Sequence, residues 1–189
     1  MLNYFIYMLP ALILSVVAQL YVNSAYSKWS KVRNYHNLTG TDTAEQLISR
    51  LGMNDIRLTR TRGTLSDHYD PRNHTLALSQ GVADQPSVAA MAIAAHELGH
   101  AQQERDGYAP LRLRSALVPL VNIGSTFGWI MLLIGLILQV SGLAQLGVIL
   151  FSAGAIFSLV TLPVELNASK RAKQMLAENG LVVNEEEKK

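Results

Sequence analysis

The sequence contains no cysteine. This absence excludes a disulfide framework and thiolate metal ligands, so a metal ion in this protein has to be held by histidine, aspartate or glutamate. Charge is scarce too, because only 16% of the 189 residues are charged while 49% are hydrophobic. The 16 basic and 14 acidic residues leave a net charge of +2. That balance predicts no nucleic-acid partner.

Two long stretches of the chain are almost free of charge. Residues 1–27 contain no Lys, Arg, Asp or Glu, and between Arg114 and Lys170 the single charged residue is Glu165. A bilayer core about 30 Å thick needs about 20 apolar residues per helix. The chain is therefore expected to lie in a lipid bilayer.

We predict about three transmembrane helices from these stretches. The first stretch holds one, over 2–21, and the second holds two, over 117–140 and 147–162, joined by a turn at 141–145. A cleaved signal peptide is the alternative for the first segment. It is disfavoured because no basic residue precedes the apolar run and the run is too long.

The distribution of basic residues predicts the orientation. With three spans, all 16 Lys and Arg lie on one side of the bilayer. By the positive-inside rule that side is cytoplasmic, which places the N-terminus and the 141–145 turn outside. The expected location is the plasma membrane, with several passes.

Between the charge-free stretches, turn and capping residues mark the secondary structure. Asp42, with Glu45 three positions later, predicts a capped helix that ends before Gly52. Alternating apolar residues then predict a small sheet of about three strands, of which the last two form a hairpin, over 56–59, 65–69 and 75–79.

Two more helices are expected after the sheet. Residues 81–86 are predicted to form a loop, and Ser87 is the predicted N-cap of a helix over 88–105. A last helix is predicted over 164–179, starting directly after Pro163. A charged tail is expected to follow it.

The sequence His96-Glu97-Leu98-Gly99-His100 lies within the helix predicted at 88–105. Histidines four residues apart project from one helix face, so their imidazoles can share one metal ion. In zinc peptidases the metal polarises a carbonyl and acidifies a water molecule, while a carboxylate accepts the proton and passes it to the leaving amine. We predict that His96 and His100 bind the metal and that Glu97 is the catalytic acid and base. The alternative is a helix with two incidentally spaced histidines.

A catalytic zinc needs a third protein ligand and an open fourth position. Glu165 is the candidate, because an ionisable residue where a span re-emerges from the membrane calls for a partner. The alternative is a carboxylate that merely reaches into water at the interface.

His68 and Tyr69 are the candidates for contact with substrate. They lie on the predicted hairpin before the active-site helix, where a strand edge can pair with an extended peptide and offer a donor to the oxyanion. Tyr108 is a weaker candidate donor, and packing at a helix end is the expected role. His36 and His74 are expected to be ordinary solvated or satisfied side chains.

With these residues in place, the chain resembles the YugP-type family of bacterial membrane neutral zinc metallopeptidases. The resemblance covers nearly the whole chain, and the segments that carry it are Leu-Ser-Asp-His-Tyr-Asp-Pro at 65–71, Ala-Ala-His-Glu-Leu-Gly-His-Ala-Gln at 94–102 and Leu-Pro-Val-Glu-Leu-Asn-Ala-Ser-Lys-Arg-Ala at 162–172. The resemblance implies a membrane peptidase that uses zinc.

The chain is also similar, more distantly, to membrane gluzincins of the HtpX and CAAX-prenyl-protease type. These place a membrane hairpin between the histidine motif and a glutamate ligand, and an Ala-Asp pair begins three residues after that glutamate. The aspartate orients a zinc-bound histidine. Here Ala168 matches, whereas Ser169 stands at the position of the aspartate. The similarity supports Glu165 as a ligand but leaves the orienting group unassigned.

The sequence thus predicts an α+β membrane protein with about three transmembrane helices and a small zincin-like domain, in which a short sheet lies over the active-site helix. The predicted divisions are an N-terminal anchor at 1–27, a cytoplasmic zincin-like region at 28–114, a transmembrane hairpin at 115–164, and a third-ligand helix with a charged tail at 165–189. The predicted function is zinc endopeptidase action at the cytoplasmic face, with one Zn²⁺ per chain and a peptide or membrane protein as substrate.

Two other functions stay open at this point. A membrane scaffold could use zinc only to hold helices together, in which case a fourth side chain such as His68 would close the metal site. Amidase action on a substrate that is not a protein would use the same chemistry as peptide hydrolysis.

Overall fold

The structure, a computed structural model, describes residues 2–183, with side chains described from Leu9 onwards except at positions 10 and 11. The predicted charged tail lies outside these residues. Within them the chain is helix-rich with one small sheet, and its elements are α1 (Leu2–Trp29), α2 (Gly40–Arg50), β1 (Arg57–Thr61), β2 (His68–Asp70), β3 (Thr75–Ser79), α3 (Gln80–Ala83), α4 (Val88–Arg105), α5 (Ala109–Ile137) and α6 (Ser141–Glu178).

Helix α2 begins one turn earlier than predicted. Its N-cap is Thr39, whose hydroxyl accepts a hydrogen bond from the Asp42 backbone N–H at 3.1 Å, while the Thr39 N–H donates to the Asp42 carboxylate at 2.9 Å. The prediction of Asp42 and Glu45 as the capping pair is therefore wrong. Thr39 and Asp42 form the same reciprocal pair three residues apart. Gly40 makes the earlier start possible, because a Cβ there would overlap the Val82 carbonyl oxygen.

The sheet has three strands in the order β1-β3-β2. Strands β2 and β3 are antiparallel, with His68 opposite Ala77 and Asp70 opposite Thr75, which confirms the predicted hairpin. Strand β1 pairs with β3 in parallel. The central strand β3 carries the buried side chains of Leu76 and Leu78, so it is the part of the sheet that belongs to the core.

The segment predicted as a loop at 81–86 contains the last part of helix α3. Val82 and Ala83 are buried, and their burial stabilises a helical turn in place of an extended loop. Asp84 follows as the C-cap. Its carboxylate accepts two hydrogen bonds from the Arg60 guanidinium, at 2.7 and 2.5 Å, and this contact lowers the pKa of Asp84 below its ordinary value.

Helix α4 has the bounds that the sequence predicts. Ser87 caps it by accepting a hydrogen bond from the Ala90 backbone N–H at 3.1 Å. Ala94, Ala95 and Leu98 are 0% exposed, so one face of the helix is packed in the core. The residues of the histidine motif are held on a rigid, capped element.

Helices α5 and α6 form an antiparallel hairpin whose turn lies at 138–140, not at the predicted 141–145. Ser141 is already the first residue of α6. The prediction of a separate helix from 164 is also wrong, since α6 continues through Pro163 to Glu178. Proline removes one backbone donor, but burial of Val164 and Ala168, both 0% exposed, keeps the following turn helical.

Both α5 and α6 are long and apolar enough to cross a membrane, and only 11% and 6% of their most apolar segments are buried. The described chain divides into two compact units. One extends to Glu97 and includes the chain from Lys173 onwards, and the other is Leu98–Ala172. The unit boundaries lie within α4 and α6, which are each continuous helices.

Candidate metal centre

His96 and His100 are one turn apart on α4 and are both partly exposed. Their neighbours Ala95 and Leu98 are 0% exposed, so the helix directs the two histidines away from its buried face. Glu97 is also partly exposed. The sequence pattern is thus present in three dimensions as two imidazoles and a carboxylate on an accessible part of the helix.

Glu165 on α6 lies beside His100, with 3.4 Å between the carboxylate Oε2 and the imidazole Nε2. The candidate ligand atoms of His96, His100 and Glu165 all lie within 4.8 Å of one another. Since a ligand stands about 2.0–2.2 Å from a zinc ion, atoms at this separation can reach one common ion. The structure therefore brings together the three residues that the sequence predicts as ligands.

Close approach of two helix backbones makes this arrangement possible. A Cβ at Gly99 would come within 2.6 Å of the Ala168 carbonyl oxygen, so the residue between the two histidines has no room for a side chain. Ala168 is itself 0% exposed. The pair of small residues lets the α6 segment that carries Glu165 lie directly against α4.

The second oxygen of Glu165 contacts a cation. Arg114 on α5 lies 3.2 Å from Glu165 Oε1, and the two side chains are 33% and 41% exposed. The two carboxylate oxygens thus face different groups, one the His100 imidazole and the other a guanidinium. Hydrogen bonds to a ligating carboxylate fix its orientation. Sequence reasoning missed Arg114, which lies 51 positions before Glu165 in the chain.

Glu97 is held by the edge strand of the sheet. The backbone N–H of Tyr69 on β2 donates to Glu97 Oε2 at 3.1 Å. This contact orients the carboxylate through Oε2. A base that has to act at one defined position benefits from such a fixed partner.

Of the two predicted substrate contacts, Tyr69 thus approaches the motif through its backbone N–H. Its hydroxyl lies 3.1 Å from His74 Nδ1. His68 is exposed, and its Nδ1 lies 2.9 Å from the Ser66 carbonyl oxygen. Roles for His68 and Tyr69 in binding substrate or the oxyanion stay predictions.

His36, His74 and Tyr108 were expected to have ordinary roles, and each contacts a residue outside the candidate metal centre. His74 Nδ1 is 3.4 Å from Asp55, and His36 Nε2 is 2.9 Å from the Gly180 carbonyl oxygen. Tyr108 is the N-cap residue of α5, and its ring lies 6.0 Å from the Arg171 guanidinium carbon.

A buried glutamine adjoins the candidate centre. Gln103 Oε1 lies 3.0 Å from His100 Nδ1, and the Gln103 side chain also contacts α6. The signal in the sequence is the spacing, because a residue three positions after His100 lies on the same helix face. The prediction did not include a contact between His100 and the acceptor three positions later, Gln103.

The donor set fits zinc. Two imidazole nitrogens and one carboxylate oxygen are the ligands of one well-known type of catalytic zinc site, in which the fourth position is open. Because the chain contains no cysteine, thiolate ligands are excluded, and histidine and glutamate are metal-binding residue types that the chain does contain. His96, His100 and Glu165 are the residues that would hold the ion.

Fold and site together define a helix-rich protein with apolar hairpin helices and a His-His-Glu candidate metal centre. The chain matches, over residues 4–189, the family described as "Putative neutral zinc metallopeptidase", and it belongs to that family. It is similar to the "Putative membrane protease YugP" of Bacillus subtilis (strain 168), with 42% identity over 179 residues that cover 95% of this chain and 80% of that protein. No solved structure matches the chain. The family resemblance read from the sequence is confirmed.

Proposed function

We propose that the protein is a zinc-dependent endopeptidase integrated into the membrane, with its active site at the cytoplasmic face. The observation that carries the proposal is the convergence of His96, His100 and Glu165 within 4.8 Å beside Glu97. One Zn²⁺ per chain would be held by these three residues. The sheet and α4 would form a small zincin-like region, in which β2 is the edge that receives an extended peptide.

When bound, zinc supplies a Lewis acid that polarises the scissile carbonyl and makes water more acidic. The chain's own contribution is proton transfer and orientation. Glu97 accepts the proton from the attacking water and delivers it to the leaving nitrogen, which balances the hydrolysis of an amide bond. The Tyr69 N–H holds Glu97 in place at 3.1 Å, and Arg114 holds Glu165 at 3.2 Å.

The substrate class proposed is a peptide or membrane protein presented at the bilayer surface. The apolar helices α5 and α6 support a membrane location, and α1 is proposed as a third span. Hydrolysis of an amide in a substrate that is not a protein would use the same residues in the same roles. The description of the Bacillus subtilis relative as a "Putative membrane protease" favours the peptide substrate.

Substitution of Glu97 by Gln tests the mechanism. The full chain is reconstituted in lipid vesicles, loaded with zinc and assayed on fluorescently labelled casein and on a mixed peptide library, and bound metal is counted per chain. We expect E97Q to keep one zinc per chain while the rate of cleavage falls by about 10² to 10⁴-fold, because the general base is lost. Glu104→Gln, one heptad later on α4, is the matched control.

If E97Q cleaved these substrates as fast as the parent, the proposed role of Glu97 would be wrong. His96→Ala and His100→Ala give the complementary result, with loss of both bound zinc and cleavage. Retention of one zinc per chain in either histidine variant would contradict the proposed ligand set.

The rival function, a scaffold with a structural zinc site, requires a fourth protein ligand. Among the described residues, the candidate cluster consists of His96, His100 and Glu165, and His68 is not one of its members. A centre with three protein ligands supports catalysis over a purely structural role. In the assay above, a scaffold would bind zinc in both the parent and E97Q and cleave nothing in either.

A further inference from the structure

Gln103 is a polar side chain completely buried between two helices. It is 0% exposed and lies on α4, one turn after His100. Its Oε1 lies 3.0 Å from His100 Nδ1, and its Nε2 donates to the Val164 carbonyl oxygen at 2.8 Å and to Asn167 Oδ1 at 3.0 Å. All the polar atoms of the amide group are therefore engaged, which is what burial of an amide requires.

The partners determine which way round the amide lies. A backbone carbonyl such as that of Val164 can only accept a hydrogen bond, so the atom facing it has to be the amide nitrogen. Asn167 Oδ1 independently accepts from Arg171 Nε at 2.8 Å, and a guanidinium can only donate, so that atom of Asn167 is an oxygen. Both partners on α6 require the Gln103 nitrogen on their side. Its oxygen then has to face His100.

The same logic extends to the imidazole. An amide oxygen is an acceptor only, so the His100 Nδ1 that lies 3.0 Å from it has to carry the hydrogen. A neutral imidazole has one protonated nitrogen, and the other keeps its lone pair. That second nitrogen, Nε2, is the atom that lies 3.4 Å from Glu165 Oε2.

We propose that Gln103 is a positioning residue that holds His100 in the Nδ1–H tautomer and thereby directs the Nε2 lone pair to the metal site. The inference about metal binding rests on the proposed zinc function, whereas the tautomer follows from the donors and acceptors alone. Gln103 also joins His100 to the α6 segment around Glu165 through two hydrogen bonds. One neutral amide therefore sets both the ring orientation and the position of the helix that supplies the third ligand.

The far end of this network is anchored by charge. Arg171, which donates to Asn167, also forms an ion pair with Asp106 just beyond the end of α4. Arg171 therefore fixes the orientation of the Asn167 amide, whose Oδ1 also accepts the hydrogen bond from Gln103. The buried amide adds no charge next to His100, whereas a buried carboxylate in its place would carry a desolvation cost.

The tautomer is tested first, in the metal-free full chain labelled with ¹⁵N-histidine in detergent micelles. The pH is raised until the His100 ring ¹⁵N shifts stop changing, so that the imidazole is neutral, and the shifts and two-bond ¹H couplings then report which nitrogen is protonated. The His100 signals are assigned by their loss in H100Q. We expect the Nδ1–H form at His100 in the parent. A predominant Nε2–H form there would overturn the proposal.

Gln103→Met removes the polar atoms while keeping an unbranched side chain of similar length. We expect His100 in Q103M to lose its fixed Nδ1–H form and zinc affinity, measured by competition with a chelator, to fall about 10 to 100-fold. Gln102→Met, one position earlier on α4 and half-buried, is the matched control and should behave as the parent. Circular dichroism checks that both variants are folded.

The outcomes separate the two proposals. Parent-like tautomer and zinc affinity in a folded Q103M would overturn the role of Gln103. If Q103M did not fold, the tautomer in the parent would decide. Absence of zinc binding by the parent itself would refute the proposed function, while the Nδ1–H result would still stand as a property of the helix pair.

Discussion

Gly99 lies in α4 between His96 and His100, where the backbone of α6 lies close to it. A Cβ there would meet the Ala168 carbonyl oxygen at 2.6 Å and the Ala168 Cα at 3.2 Å, and these are backbone atoms that cannot rotate away. The absence of a side chain at this residue determines the distance between the helix of the histidines and the helix of Glu165. The geometry of the candidate centre therefore depends on a residue that has no chemistry of its own.

Substitution of Gly99 by Ala should separate the two helices. Overpacking of this kind costs about 1–3 kcal/mol, which for a chain of this size corresponds to a melting temperature lower by about 2 to 12 °C. The zinc affinity should fall with it, since Glu165 moves away from His100. Both are measured on the purified protein in detergent, by thermal unfolding and by chelator competition.

Gly142→Ala is the matched control for this change. Gly142 lies in the first turn of α6, where an added Cβ meets nothing within 4 Å, so alanine should be neutral or should stabilise the helix by up to about 1 kcal/mol. A G99A variant as stable and as tightly zinc-binding as the parent would show that the helices do not need this close approach.

At the same scale, the sequence predicted some site residues and not others for a clear reason. His96, Glu97 and His100 were found because the helical repeat places them together within five positions. Glu165 was found because it is the only charge in a long apolar stretch. Gln103 was not found, because its spacing from His100 indicates only a possible contact, whereas its other partners lie more than 60 positions away in the chain.

Among the elements, the hairpin of α5 and α6 is held by glycines that let backbone meet backbone. A Cβ at Gly128 would come within 2.7 Å of the Phe151 nitrogen, and one at Gly147 within 2.5 Å of the Leu132 nitrogen. Between apolar helices in lipid there is little hydrophobic driving force, so close packing at small residues has to supply the association. Close packing at these glycines is therefore expected to hold α5 against α6.

A cysteine pair tests this hairpin directly, because the chain has no native thiol that could compete. A Cβ at Gly154 lies 3.4 Å from Ser125 Oγ, which is within the reach of a disulfide. We expect S125C/G154C to oxidise readily in isolated membranes. Both thiols should then be protected from a maleimide-polyethylene-glycol reagent until the disulfide is reduced.

The control pair is S115C/G142C. Ser115 lies near the start of α5 and Gly142 near the start of α6, so in an antiparallel hairpin they stand about 30 Å apart, from a rise of 1.5 Å per residue. This pair should stay reduced and take up two polyethylene-glycol groups. Equal oxidation of both pairs would contradict the packing of α5 against α6.

The boundaries of these elements show where sequence reasoning failed. The turn at 138–140 consists of Leu, Gln and Val, with Gln139 at φ 57°, a conformation that usually favours glycine. The turn was predicted at 141–145 instead, because small residues lie there. Pro163 likewise suggested a helix start, because a propensity rule does not include the burial of the next turn. Helix α4 was predicted correctly because Ser87, the predicted N-cap, caps the helix in the structure as well.

The ion pair between Arg60 on β1 and Asp84, the C-cap residue of α3, makes the stability of the fold depend on pH. The Arg60 guanidinium lowers the pKa of Asp84, so Asp84 is more acidic folded than unfolded. The pair therefore stabilises the fold above the ordinary pKa of aspartate, about 3.9, and the stabilisation is lost as the pH falls below that value. Because both side chains are exposed, the effect is small and decreases with salt.

A double-mutant cycle with R60Q and D84N measures this pair. The coupling free energy between the two side chains, measured by thermal unfolding, should be present at pH 6 and should fall as the pH is lowered from 5 towards 2. It should also be smaller in 0.5 M salt. Arg57, also exposed on β1, provides the control, since R57Q should show no coupling to D84N. A coupling that is constant across this pH range would mean that the ion pair does not contribute.

For the whole molecule, the remaining prediction is the arrangement across the bilayer. If α1, α5 and α6 all span, every one of the 16 Lys and Arg stands on one side, together with the candidate metal centre. The bias of basic residues towards the cytoplasm then requires the N-terminus and the turn at 138–140 to lie outside. This asymmetry follows from the absence of charge in the first 27 residues.

This arrangement across the bilayer is tested by introducing single cysteines into the chain, which has none of its own, and labelling them with a thiol reagent that does not cross membranes. Positions 3 and 139 should be labelled on intact cells, whereas Q85C, in the exposed segment before α4, should react only after permeabilisation. Labelling at 139 without labelling at 3 would exclude α1 as a span while leaving the hairpin in place. Labelling of Q85C on intact cells would put the His-His-Glu centre outside, and the protein would then act on extracytoplasmic rather than cytoplasmic peptides.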